Sequence, residues 1–339
     1  MIYTLQGLRA LAMLGIFLFH SGILLNGTFP VTFFFILSGF VTYYSKYINV
    51  DEMNIKECIN WIINKMKPLY IVHILTFLLS IIIRWDWVSK LSPLQLIKRV
   101  ILSLLLIQSF FKNDTFIFNG LSWFLSVIFI LYILAIPCIK IVKNISKNKL
   151  TNMVVLILII QYILNSINII GITELNIYSL PIYRLLDFVL GMIVAKIFLE
   201  KKYIIKRHNL CETMILIIFI GMYILSFSIK TGCSYYSLLF IIALYVFSQG
   251  KGWISKILEI YILQKIASIS FEFYMIHELI LIVFRKVFYY LNYYWLINNI
   301  IISIPAFIIS MVLAVFINKY ITIGIKTSTK KSIKIITEK

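Results

Sequence analysis

The chain reads as an all-α polytopic membrane protein, a transmembrane bundle of about ten spans with both termini cytoplasmic. Three observations predict it. Hydrophobic residues make up 61% of the 339 and charged ones 13%, with a mean hydropathy of +0.97, too apolar for a soluble chain to cover its own surface. The apolar runs are continuous and close to the ~20 residues that carry a helix across a hydrocarbon core, without the short alternating segments of a membrane barrel. Basic residues gather in alternate loops, as the positive-inside rule requires of spans that cross in turn.

The expected spans are 5–25, 30–48, 67–84, 121–138, 152–171, 181–199, 213–229, 234–249, 267–289 and 297–318. An eleventh candidate, 97–111, is short and opens with Lys98 and Arg99. If it does not cross, the loops 46–67, 139–150, 200–211, 250–266 and the tail after Asn318 share one side and carry four, four, four, three and six Lys/Arg. The opposite loops 26–30, 172–180, 230–233 and 290–296 hold one lysine between them, alongside the long segment 84–120. A crossing at 97–111 would move the lysine-rich stretch 140–149 outside. The expectation is therefore ten spans, with 97–111 interfacial or re-entrant and eleven left open. Residues 1–325 form one integral membrane domain and 326–339 a basic cytoplasmic tail. The longest loop, 84–120, is too short for an enzyme domain of its own.

The net charge of +19 is dispersed over short loops and the tail, which fits topology signals and an anionic lipid surface rather than nucleic acid. No cleavable signal peptide is evident, because Arg9 interrupts the first apolar region and no basic n-region precedes it. The four cysteines (Cys58, Cys138, Cys211, Cys233) show no CxxC, metal-type or disulfide spacing, so no metal centre or bound cofactor is expected. Abundant Ile, Lys and Asn hints at an AT-rich bacterial genome, and hence at a bacterial cytoplasmic membrane.

Charge inside the spans is the functional signal. Intramembrane arginine is expensive, by about 2.5–3.5 kcal/mol or more at a helix centre. Arg9 and His20 share the first span, and eleven positions at 1.5 Å and 100° each put them about 16 Å apart on one face. A long anionic ligand could be gripped at the arginine and react at the histidine. Arg9 could instead snorkel to the interface, and His20 could hydrogen-bond another helix. Arg184 and Asp187 sit i, i+3 and could neutralise one another. Glu272 and His277 occupy the ninth span with Glu278 beside the histidine, and His73 in the third suits a helix–helix hydrogen bond.

With those residues in view, the chain resembles the acyltransferase family 3 of integral membrane acyltransferases over nearly its whole length. Arg9 and His20 reproduce the family's Arg-x10-His signature. Phe33-Phe34-Phe35-Ile36-Leu37-Ser38-Gly39-Phe40 resembles its second-span block, and Lys65-Met66-Lys67-Pro68-Leu69-Tyr70 its basic opening of the third span. Trp123-Phe124-Leu125-Ser126, Arg184-Leu185-Leu186-Asp187-Phe188-Val189-Leu190-Gly191 and Ile269-Ser270-Phe271-Glu272-Phe273-Tyr274-Met275-Ile276-His277 resemble later blocks in the expected order. The chain departs at Ile62 and Lys65, where arginines are common, and at Ile128, where many members carry a glutamate. It is similar to the shorter, membrane-only branch linked to surface polysaccharides.

The resemblance implies transfer of an acyl group, usually acetyl, from cytoplasmic acyl-CoA to a hydroxyl of a cell-surface or lipid-linked glycan. On that reading Arg9, Lys65 and Lys67 hold the acyl-CoA phosphates and His20 is the base, with a transient acyl group on His20 as the lesser alternative. His277, Arg184 and Asp187 are candidates for the acceptor path. Lysine gives phosphate a point charge rather than the planar fork of arginine. Ser38 could be a nucleophile, although Gly39 beside it reads more simply as a close helix contact. The rival class is an exporter or flippase of a glycan or lipid-linked saccharide, which would favour internal repeats and helices broken by Gly or Pro near the midplane. No repeat is evident, and of the six prolines Pro30, Pro68, Pro137 and Pro181 sit near span ends, with Pro305 inside the last span.

Overall fold

The computed structural model describes residues 2–24, 26–47, 49–169, 177–200, 205–225, 234–292 and 300–324. The tail expected at 326–339 lies outside the described residues, as do parts of several expected loops and span ends.

The described residues form α-helices without a strand. They are α1 (Tyr3–His20), α2 (Thr28–Lys46), α3 (Ile55–Ile83), α4 (Trp85–Val88), α5 (Pro93–Leu104), α6 (Trp123–Asn144) and α7 (Lys147–Ile169). After these come α8 (Pro181–Leu199), α9 (His208–Leu225), α10 (Ser234–Ser248), α11 (Trp253–Leu258), α12 (Tyr261–Ser268), α13 (Ser270–Tyr290) and α14 (Ile300–Ile317). A helix stands in each of the ten expected spans. Among the described residues five helical stretches, Thr28–Lys46, Ile55–Ile83, Gly120–Asn144, Lys147–Ile167 and Ile301–Thr322, are long and apolar enough to cross a membrane. The pair α12–α13, bent by 69°, makes a sixth if read as one span. The apolar helices at 208–224 and 236–248 are shorter.

Boundaries differ from expectation where local chemistry sets them. The first helix stops at His20 because Gly22 takes a left-handed φ of +81°, and Ser21 Oγ donates back to the Leu18 carbonyl at 2.9 Å. α3 starts well before the apolar run, at a capping box: Asn54 and Glu57 exchange side-chain and backbone hydrogen bonds, both 2.9 Å. Ser92 and Gln95 cap α5 in the same way, with Pro93 in the first turn. At 12 residues α5 is about 18 Å long, too short to cross as a helix, and the chain then breaks into short 3-10 turns.

The chain divides into two compact units. One comprises Met1–Ile16, Leu25–Met53 and Ile130–Ser268. Its centre is the pairing of α2 with α8, which two glycines make possible. A Cβ on Gly39 would lie 1.8 Å from the Phe188 carbonyl oxygen, and one on Gly191 would lie 1.8 Å from that of Ile36. Each backbone thus rests directly on the other, the close contact anticipated at Gly39. Lys196 caps α6, donating to the carbonyls of Val142 (3.1 Å), Lys143 (2.8 Å) and Ile145 (2.5 Å).

The other unit comprises Phe17–Leu24, Asn54–Phe129 and Ile269–Lys339. α13 packs there against α14 and α3. Phe17, Phe273 and Phe307 meet edge-on with centroids 5.2–5.7 Å apart. The segment between α5 and α6 is clamped to α13: Asn119 Nδ2 donates to the Met275 carbonyl at 2.8 Å, and the Tyr274 hydroxyl to that of Leu121 at 3.1 Å. In this segment Leu106 and Phe118 hold left-handed φ values of +55° and +53°, which bulky residues tolerate only under tertiary constraint. The constraint on Phe118 is burial against Phe77, Val88 and Ile117.

Candidate active site

Within the second unit, His20 closes α1 and His277 stands in the first half of α13, their ring centroids 5.3 Å apart and tilted by 64°. His277 is completely buried, stacked on Phe273 and edge-on to Phe17, while His20 is half-buried. The His277 Nδ1 lies 3.1 Å from the Phe273 carbonyl. A carbonyl only accepts, so Nδ1 carries the proton and Nε2 of the neutral ring is a bare acceptor. That Nε2 is buried with no hydrogen-bond partner.

Charged groups surround the pair. Arg285 Nη2 donates to the His20 carbonyl at 2.6 Å, fixing the end of α1, and Glu278 and Arg285 are the charges that act on the His20 ring. Glu278 Oε1 faces Arg84 Nη2 at 3.6 Å, while a Cβ on Gly120 would come within 3.2 Å of Glu278 Oε2, close enough that the carboxylate would have to shift by a few tenths of an ångström. Glu278 Oε2, Arg84 Nε and Arg285 Nε are buried without a hydrogen-bond partner, as is His277 Nε2. Buried polar atoms are nearly always bonded, so four without partners gathered around one pair of imidazoles make this cluster the candidate reactive place.

Arg84 also lines a cavity of about 600 Å³, within the usual ~300–1,000 Å³ of small-molecule sites. Arg84, Asp86, Trp87, Arg99, Lys112 and Lys286 contribute to its wall. Lys286 donates to Asp86 and to the Ile83 carbonyl, at 2.5 and 2.7 Å, and that hydrogen bond holds the exposed Asp86 carboxyl below its ordinary range. Asp114 pairs with Lys98 (2.7 Å) and Arg99 (3.0 Å). Burial alone would raise the Asp114 carboxyl, but the two cations outweigh it and hold it low.

The other residues singled out from sequence lie as follows. Arg9 is a half-buried residue of α1 in the first unit, within electrostatic reach of Tyr132. Lys65 (half-buried) and Lys67 (exposed) lie on α3 in the second unit. Arg184 and Asp187, completely buried in the first unit, do neutralise one another at 2.8 Å. Asp187 Oδ1 also accepts from Gln161 (2.7 Å) and Ser237 (3.1 Å). Arg184 donates to the Tyr178 carbonyl (2.7 Å) and Thr32 Oγ1 (3.1 Å), which makes the pair a saturated brace between helices. His73 Nε2 donates to the Ser103 carbonyl at 3.1 Å and ties α3 to α5. Sequence reasoning passed over Arg84, Arg99, Lys112, Arg285 and Lys286, because charges at span ends look like ordinary topology signals. Among the described residues no group of three or more His, Cys, Asp or Glu could hold a metal ion.

A candidate base, a counter-charged carboxylate and unsatisfied guanidinium donors suit proton transfer to and from a bound substrate. No curated protein and no solved structure matches the chain. A family model described as an acyltransferase domain matches residues 2–319, nearly the whole length. The chain belongs to that family, the family 3 acyltransferases, and is a multi-pass membrane acyltransferase.

Proposed function

We propose that the protein transfers an acyl group, acetyl in the simplest case, from cytoplasmic acyl-CoA to a hydroxyl of a cell-surface or lipid-linked glycan in a bacterial cytoplasmic membrane. The observation that carries this reading is the His20–His277 pair in a chain of this family, two imidazoles 5.3 Å apart with one buried nitrogen left bare.

His20 takes the proton of the acceptor hydroxyl as its oxygen attacks the thioester carbonyl. When the tetrahedral centre collapses, the C–S bond breaks and the leaving thiolate takes that proton from His20 as CoA–SH. The bare Nε2 of His277 accepts a hydrogen bond from the transient His20 imidazolium, and Glu278 supplies its counter-charge. His277 is thus a positioning residue, and no acyl-enzyme is required. Arg9, on the same helix as His20, and Lys65 and Lys67 on α3 are the proposed holders of the CoA phosphates. The saturated Arg184–Asp187 pair supports a brace better than an acceptor path.

The test compares surface polysaccharide from wild-type cells with that from a His20→Ala strain making equal amounts of membrane-inserted protein. NMR before and after mild alkali reads the ester-linked acetyl. Polysaccharide that persists without its ester acetyl supports the reading. Unchanged acetyl per sugar with less surface polysaccharide overturns it in favour of export.

A further inference from the structure

We propose that the cavity lined by Arg84, Arg99, Lys112 and Lys286 seats a negatively charged group of the acceptor saccharide, a phosphate or a carboxylate, and so selects an anionic acceptor. This rests on the acyltransferase reading above and adds the acceptor's chemical class. Four cations contribute to the wall, Arg84, Arg99, Lys112 and Lys286, against one carboxylate, Asp86. Asp86 accounts for Lys286, while the other three keep donors to offer.

Arg99 is anchored by its Nε on Asp114 at 3.0 Å and lies over the Trp87 ring at 5.3 Å from the centroid. This fixes the guanidinium plane and leaves its terminal nitrogens for a ligand. Arg84 meets Glu278 only at 3.6 Å, longer than a hydrogen bond, and its Nε is buried without a hydrogen-bond partner. An uncompensated guanidinium N–H in that position is costly, and an oxyanion would relieve it. Lys112 is exposed and has no ion-pair partner among the described residues. Two planar guanidinium forks and an ammonium match the geometry and charge of a phosphate or carboxylate, whereas a neutral sugar needs none of them.

The link to the reaction is Arg84. It lines the cavity and faces Glu278, which follows His277 in sequence and acts on His20. A saccharide held there by its charge would be linked to the base through Arg84 and Glu278. The oxyanion could in principle come instead from the donor, since CoA also carries phosphates, so the experiment separates the two sources.

Purified full-length protein in nanodiscs is titrated with glucose 1-phosphate and a glucuronic-acid disaccharide, with glucose and maltose as neutral counterparts, and separately with CoA. The expected result is at least tenfold tighter binding of the charged saccharides, weakening as salt rises while neutral sugars do not respond. Lys112→Gln, an exposed change that leaves the fold intact, and Arg99→Gln should each cut affinity for the charged saccharides about tenfold and leave CoA binding unchanged. Equal binding of charged and neutral sugars overturns the proposal. So does loss of CoA binding in the cavity variants with saccharide binding intact, which would give the cavity to the donor. Charged-saccharide binding without acyl transfer from acyl-CoA to any glycan would instead leave the anionic seat standing and remove the donor and acceptor proposed above. Transfer to neutral glycans, unaffected by the cavity variants, would do the reverse.

Discussion

His277 presents a bare Nε2 beside His20 because its Nδ1 proton is committed to the Phe273 carbonyl, one turn back on the same helix. The helix backbone therefore sets the tautomer, and the aromatic rings of Phe17 and Phe273 set the ring's position. Replacing His277 by Gln should lower kcat about tenfold or more with KM for acyl-CoA little changed, the pattern of an interaction that acts in the transition state. Melting of the detergent-solubilised variant checks that it folds. A change confined to KM would contradict this role.

The α2–α8 contact admits no side chain at two positions. Gly39→Ala or Gly191→Ala would drive a methyl into a backbone carbonyl on the opposite helix. Each should destabilise the protein by about 1–3 kcal/mol or more, read as a lower melting temperature in detergent. An unchanged melt would show that the helices do not approach so closely.

Removing one partner of the buried Arg184–Asp187 pair strands the other in an apolar interior. Asp187→Ala should cost about 3–5 kcal/mol. Replacing both together, as Arg184→Met with Asp187→Leu, should cost less and preserve acyl transfer per folded molecule. If transfer falls sharply while the double variant melts normally, these residues touch the acceptor after all.

Asp114, in the segment between α5 and α6, ties stability to acid pH. Its carboxyl is held below the ordinary value of 3.8 in the folded state, so the unfolded chain binds a proton first as pH falls. Its stabilising contribution is present above that value and is lost as pH drops through the lowered one. Asp114→Asn should melt lower than wild type at neutral pH, with the gap closing below about pH 4. A gap that widened in acid would reverse the sign.

Much of this was legible in the sequence. Apolar runs located a helix in every expected span, and an ion pair at i, i+3 was expected of Arg184 and Asp187. Isolated charge in apolar segments drew attention to Arg9, His20 and His277. Helix ends were less legible, since hydropathy ignores the turn chemistry that stops α1 at His20 and starts α3 at Asn54. Least legible was the proximity of His20 to His277, far apart in the chain, because pairing of distant helices leaves no local pattern. The cavity was hidden for a related reason: Arg84, Arg99 and Lys112 look like solvated loop charges until Trp87 and Asp114 are seen to hold one of them.

The most direct measurement is release of free CoA thiol by purified protein in proteoliposomes, supplied with acetyl-CoA with and without an acceptor glycan. Wild type should release thiol only when acceptor is present and leave ester-linked acetyl on the glycan in equal amount. His20→Gln should lower that rate about 10²–10⁴-fold, the usual worth of a general base. Full activity in the His20→Gln protein, or thiol release with no acetyl reaching the glycan, would contradict the account.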